Sequence, residues 1–478
     1  MGLTRQSVRS GISFVSVLSI FRPTPLAFIA FFFSYALQVV TGSELVGLLP
    51  YVLLVPSLTL YVLKTMLLRR NGARILGVGS LDLLVSAFMG FATAHIIAGA
   101  LFGGYRLTDV VRLFLIFVMS GWVYLYVSRL ATANGIRLIM AAIALATVVM
   151  SVQWVYETYT KMVKKENTQF QQLSYEYKKK RNNVTDEGMN PSTLGTQYRA
   201  HGLADSHPTT GTLVAIGSFA FVALSSRQSR RWRVLVLGLF LAVLLVGFAT
   251  TAVVSYVILF PVILWLSSKN RRIFVVLGRV GLYSAGAALV LSVVALSTRW
   301  GRDLLANTLL LLGLQIDYVL GNPGVTSFYV VYRNMIAQYL EFLGQKPVAI
   351  LFGEGPVGYG AVTFPRGGDI GLLDLAAGFG VPFTIYFFTV CVVAFRSGAR
   401  AIKDGRLEHS QAMNVIFGCA TVALLLISFV HYGVFFNKAV VALFYLALGL
   451  LRRYSFRGLA VPFVGPREVP MHPAYAAA

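Results

Sequence analysis

Charge and cysteine are both scarce in this chain. Of its 478 residues only 12% are charged, while 57% are hydrophobic. A composition this poor in charge excludes an ordinary soluble protein. Cys391 and Cys419 are the only cysteines and both lie in apolar runs, so a disulfide framework is not expected and the redox compartment stays open. No repeat of 20–50 residues is evident, and no low-complexity tract occurs beyond the Ala-rich end at 476–478. The first 25 residues lack a small-residue cleavage site followed by a soluble domain, so they read as a retained cytoplasmic, interfacial segment and not a signal peptide.

What is present is an alternation of oily runs and polar loops. A spanning helix needs about 20 mainly apolar residues, and in lipid the backbone must satisfy its own hydrogen bonds. Runs at 24–42, 45–67, 75–101, 109–129, 136–157, 209–226, 233–250, 252–268, 273–297, 371–395, 411–431 and 438–451 meet or approach that length. The reading is therefore an all-α polytopic integral membrane protein with about 12 transmembrane helices. It divides into helices 1–5 over 1–157, a polar loop over 158–208, helices 6–9 over 209–297, a second polar loop over 298–370, and helices 10–12 with a tail over 371–478.

The formal net charge of +23 invites a nucleic-acid partner, which the distribution excludes. The basic residues come in short clusters between apolar runs: Arg69, Arg70 and Arg74; Arg129 and Arg137; Arg227 to Arg233; Lys269 to Arg272; Arg396 to Arg406; Arg452, Arg453 and Arg457. Every second loop is basic, which places that side and both termini in the cytoplasm. The two long polar loops then face outward. Their own basic residues, Lys178 to Arg181 among them, run against the simple rule and suit anionic lipid or diphosphate.

Five polar residues lie inside the spans: Asp82, His95, Arg112, Gln153 and Arg279. Such groups are costly in lipid and face protein or water. Asp82 and Arg279 each sit about two turns from the cytoplasmic side, so an ion pair between them is expected. Arg112, near the outer end of its span, either snorkels or reaches a phosphate.

The outward loops carry the chemistry-bearing residues. Residues 327–344 have helical periodicity, with Arg333, Asn334, Ala337, Gln338 and Glu341 on one face. Met335, Ile336, Tyr339, Leu340, Phe342 and Leu343 take the other, and Gly344 suits a left-handed cap. The polar face either presents Arg333 to a pocket or is simply solvated. Gly353-Glu354-Gly355-Pro356-Val357-Gly358 reads as an anion nest or a plain turn. Asp369 and Asp374 flank the start of the next span, as bases or as a cap and an ion-pair partner. In the first loop, Arg199, His201, Asp205 and His207 precede Gly211. There is no thiol and no familiar ligand spacing, so zinc is not expected. His207 and the helix starting near Thr209 are expected to face an anion.

Arg199-X-X-Gly202 with His207-Pro-Thr-Thr-Gly211, the Arg333-to-Gly344 spacing, Gly353-Glu-Gly-Pro-Val-Gly358 and Asp369-Ile-Gly-Leu-Leu-Asp374 together resemble the bacterial O-antigen polymerase and O-antigen ligase superfamily. The absence of histidine from 208 to 408 is closer to the polymerases. Thr250-Thr251 stands where a Ser-Arg pair is usual in the family. The resemblance implies a GT-C-like membrane glycosyltransferase with two large periplasmic loops in the bacterial inner membrane. It implies joining of oligosaccharide repeats carried on undecaprenyl pyrophosphate, for O-antigen, capsule or exopolysaccharide. Arg199, Arg333 and Arg112 would hold diphosphate, and Asp369, Asp374 or Glu354 would act as base. His201, His207, Asn334 and Tyr339 would be further substrate contacts. No cofactor and no metal are implied. Membrane lipid, a chain-length regulator and a flippase are the candidate partners. The rivals are a ligase to lipid A-core and a flippase or transporter of lipid-linked sugar.

Overall fold

A computed structural model describes residues 23–56, 59, 79–102, 107–129, 131–164, 166–182, 200–225, 228–247, 249–266, 302, 313, 328–353, 371–405, 407–429 and 437–455. Among them every regular element is helical. Seven helices are long and apolar enough to cross a membrane: Thr24–Thr41, Ser80–Leu101, Val110–Arg129, Ala133–Tyr159, His207–Leu224, Val381–Lys403 and His409–Ser428. The protein is thus an all-helical polytopic membrane protein.

In chain order the elements are α1 (Pro23–Thr41), α2 (Glu44–Pro56), α3 (Ser80–Phe102), α4 (Leu107–Phe114), α5 (Gly121–Arg129) and α6 (Ala133–Tyr159). Then come α7 (Gln169–Asn182), α8 (His207–Leu224), α9 (Arg230–Val246), α10 (Thr250–Leu266), α11 (Phe328–Gln345) and α12 (Ala349–Phe352). The last are α13 (Gly371–Phe379), α14 (Val381–Lys403), α15 (His409–Ser428) and α16 (Lys438–Ser455). Of the other expected spans, 45–67 and 252–268 coincide with the shorter apolar helices Glu44–Pro56 and Thr251–Leu264. Those at 233–250 and 438–451 fall on α9 and α16, and 273–297 lies outside the described residues.

The core is built around α16. Every residue from Ala439 to Leu451 is buried, as a helix apolar on all sides demands. It lies against α5, α14 and α15. Between α4 and α5 the chain makes a π-helical turn, Leu115–Met119, and the Tyr445 hydroxyl donates to the Phe117 carbonyl inside it at 2.7 Å. Inserting a residue into the i→i−4 ladder releases carbonyls, and here a side chain from the central helix collects one. Close approach elsewhere uses small residues, as expected where lipid supplies no hydrophobic drive between helices. Gly449 faces Val127 and the Tyr124 carbonyl, and a Cβ on Gly211 would overlap Ala249.

One end of the bundle is fastened by Asp82, which is 3% exposed. Its carboxylate accepts from the Gly79 amide at 2.8 Å, the Tyr124 hydroxyl at 2.7 Å and Arg452 Nε at 2.7 Å. Arg129 stands 3.7 Å away. The expected partner, Arg279, lies outside the described residues. The expectation weighed only residues inside spans. The guanidinium groups that reach Asp82 come instead from helix ends, where α5 and α16 finish on its level.

Two further expectations change. The span at 371–395 is not continuous: it breaks at Gly380 into α13 and α14. Gly344 is not a left-handed cap, because α11 runs through it to Gln345 and it is absent from the positive-φ glycines. Lys346 N still donates to Phe342 O at 2.9 Å, and Pro347 next in sequence cannot continue the ladder.

Candidate functional site

Two sites emerge, one at the bundle end opposite Asp82 and one where α13 breaks. The first begins on α6. Gln153, Glu157 and Lys161 follow one another at four-residue spacing, so they share a stripe as α6 passes into the π-helical turn Thr160–Lys164. Glu157 is fully buried. It accepts from Gln153 Nε2 at 3.0 Å and from the Gly202 amide at 3.0 Å.

The loop 200–206 folds onto this stripe. Trp154 Nε1 donates to the Ala200 carbonyl at 3.0 Å, and Thr210 Oγ1 donates to the His201 carbonyl at 2.5 Å. Lys178, on α7, donates to the Asp205 carbonyl at 2.7 Å and lies 5.7 Å from the Tyr35 ring centroid. Tyr35 also ties α1 to α7 through Ser174 at 2.7 Å. Ser206 then caps α8, taking the Thr209 amide at 3.3 Å. Pro208, the second residue of α8, has no amide hydrogen. The start of α8 therefore contributes its dipole and its side chains, not the row of open amides expected for an anion.

The His201 and His207 rings stand 6.4 Å apart. His201 Nδ1 is shut off from solvent without a hydrogen-bond partner. Burial pushes His201 well below its usual basicity, and the positive charges of Lys178, His207 and Lys161 push the same way. Burial also lowers Lys161, with Glu157 opposing. The place is one of positive potential, with partly dehydrated donors.

The second site is the crossing of α12 with α13 and α14. Gly380 has φ 88° and Gly353 has φ 63°. A Cβ on Gly380 would strike the Leu351 carbonyl, and one on Gly353 would strike the Gly378 carbonyl. Two stretches of backbone thus pass at a distance only glycine allows. His95 on α3 hydrogen-bonds the Gly378 backbone, its ring lies 5.0 Å from that of Phe379, and its Nε2 is buried without a hydrogen-bond partner. Leu372 N donates to the Phe429 carbonyl at 3.0 Å, which ties the start of α13 to the end of α15. Asp374, on α13, is 1% exposed.

Of the residues expected to carry function, His201 and His207 come together. Arg199, Glu354 and Asp369 lie outside the described residues. Arg333 and Asn334 are on α11 and exposed, as is Arg112 on α4. Tyr339 is buried with Phe342, against Ala376 and Ala377 of α13. The apolar face of α11 is narrower than its periodicity suggests, since Ile336 and Leu340 are 45% and 61% exposed. Glu157 and Lys161 were missed as site residues. The signal for both was present in the four-residue spacing from Gln153. Lys178 was expected to meet anionic lipid or diphosphate, and the folded loop brings it to Asp205. No protein-family model matches the chain, and no curated protein matches it in sequence.

Proposed function

We propose that this protein is a polysaccharide polymerase of the bacterial inner membrane, joining lipid-diphosphate-linked oligosaccharide repeats at the periplasmic face. The observation that carries the reading is the cluster of Lys161, Lys178, His201 and His207 on the bundle end opposite Arg129 and Arg452. By the distribution of basic loops that end faces outward. A membrane protein that gathers cations there suits a substrate whose phosphates sit at the surface and whose glycan extends into water.

In this reading a growing glycan is transferred from its lipid diphosphate to a hydroxyl of the incoming lipid-linked unit. The base takes the hydroxyl proton as the oxygen bonds to the anomeric carbon. The bond from that carbon to the diphosphate breaks, and its electron pair leaves with the diphosphate. Arg199 and Arg333 stabilise the departing charge through paired bonds, with Arg112 as a further contact. Asn334, exposed on α11, flanks the acceptor, while Tyr339 is buried against α13 and supports the helix from behind. The burial of Asp374 leaves Asp369 as the preferred base, with Glu354 the lesser candidate, since a base must touch the proton it removes. Purified protein given one defined lipid-linked repeat should yield a ladder of products, and Arg333→Ala should abolish it while still inserting in the membrane. A single unextended repeat with wild-type protein would sink the proposal.

The crossing at Gly380 favours one alternative, a transporter of lipid-linked sugar. Broken helices with buried polar groups are typical of substrate sites in transporters, and His95 and Asp374 lie at such a break. A reconstituted vesicle assay separates the two: translocation of the lipid-linked repeat without a new glycosidic bond selects the transporter.

A further inference from the structure

The Lys161, Lys178, His201 and His207 cluster is more than a basic surface. His201 is held from behind, its carbonyl accepting from Thr210 and the next residue's amide donating to Glu157. Its Nδ1 is nevertheless buried without a hydrogen-bond partner. Leaving a buried polar atom unmade costs about 1–3 kcal/mol, so such an atom in a tightly fixed loop calls for an occupant. The charged groups around the ring are Lys161 and Glu157 from α6 and its π turn, Lys178 from α7, His207 from α8 and Asp205 on the loop itself. Those that act on His201 are all positive: Lys178, His207 and Lys161. Glu157 is committed to Gln153 and Gly202 and faces Lys161. Asp205 is exposed and engages Lys178 through its carbonyl, not its carboxylate.

We propose that Lys161, Lys178, His201 and His207 form a receptor for the phosphate of a lipid headgroup, with His201 Nδ1–H donating to a phosphate oxygen. The fit is chemical. Lys161 and Lys178 each bring an ammonium with three donors to the cluster. Phosphate presents several charged acceptors at one point, which suits donors converging from three helices and a loop. A lipid headgroup, not free phosphate, is the source, because α6, α7 and α8 meet here at the end of two membrane-crossing helices, α6 and α8. The further identification of that lipid as the polyprenyl donor rests on the polymerase reading. The receptor itself does not.

A bound phosphate offsets the positive field at His201 and favours the protonated ring.

The test uses full-length protein in phosphatidylcholine nanodiscs, with radiolabelled undecaprenyl phosphate as probe and inorganic pyrophosphate and phosphatidylglycerol as competitors. His201→Gln and Lys161→Met should each weaken probe binding at least about ten-fold, the loss of one charge-assisted contact. Lys161→Arg should retain most of it. Unchanged affinity in both loss-of-contact variants overturns the receptor. Pyrophosphate binding by a protein that fails to bind the lipid probe would also overturn it, in favour of a free-anion site. If phosphatidylglycerol competes as well as the polyprenyl probe, the headgroup receptor stands and its link to the donor falls. Probe binding intact in a protein that forms no polymer would leave the receptor standing and remove the polymerase.

Discussion

Replacing Asp82 with asparagine keeps its shape and removes its charge. The carboxylate is 3% exposed and meets Arg452, which is itself 11% exposed in its side chain, at 2.7 Å. Arg129 is looser, at 3.7 Å with a 20% exposed side chain. Removing one member of a buried pair strands the other charge and costs about 3–5 kcal/mol, whereas a solvent-exposed pair is worth about 0.2–1 kcal/mol, and the longer, less buried Arg129 contact lies nearer that end. Asp82→Asn and Arg452→Met should therefore each destabilise by about 3–5 kcal/mol, and Arg129→Met by under about 1 kcal/mol. The double variant Asp82→Asn/Arg452→Met should be less destabilised than the sum, with a coupling of about 0.5–3 kcal/mol. Reversible unfolding in mixed detergent–SDS micelles, followed by helicity, measures all four. The argument fails if Asp82→Asn unfolds with wild-type stability, or if Arg129→Met costs as much as Arg452→Met.

Gly380→Ala should cost at least about 1–3 kcal/mol from backbone conformation alone, and more from the Leu351 carbonyl it would strike; a thermal melt in detergent at wild-type stability would contradict the crossing. Gly344→Ala should be neutral or stabilising by up to about 1 kcal/mol, since it is helical and a Cβ there meets nothing. If that variant inserts normally yet loses polymerisation, the glycine of the arginine–glycine pattern touches substrate. Because His201 is less basic folded than unfolded, the unfolded chain binds more protons between its folded pKa and about 6.5. Stability should thus fall as pH drops through that window, and His201→Gln should flatten the fall in melts taken from pH 7.5 to 5.

Helical membrane architecture was legible because apolar runs of spanning length leave no other solution. The break at Gly380 was not, since Leu372 to Cys391 reads as one oily run and the crossing depends on Leu351, about thirty positions upstream. Asp82 announced that it needed a partner, but Arg452 is 370 residues away and lies at a helix end. The pairing of His201 with His207 followed from their closeness in sequence. Their placement over Glu157 and Lys161 did not, because nothing local says that the loop at 200–206 returns to α6. Asp374 was expected at an outer edge and is instead buried on α13, a helix packed against α11, α12 and α14, elements that a one-dimensional reading cannot bring together.

The helix around which the core is built is also the last described one. Ribosomal synthesis delivers α1 to α15 before the piece they surround exists, so the earlier helices must wait in the bilayer with an unfilled centre. Tyr445 and Arg452 reach Phe117 and Asp82 only on its arrival. A premature stop anywhere before Lys438 would therefore remove not an appendage but the piece that fills the centre, and the fold cannot close until α16 has been made.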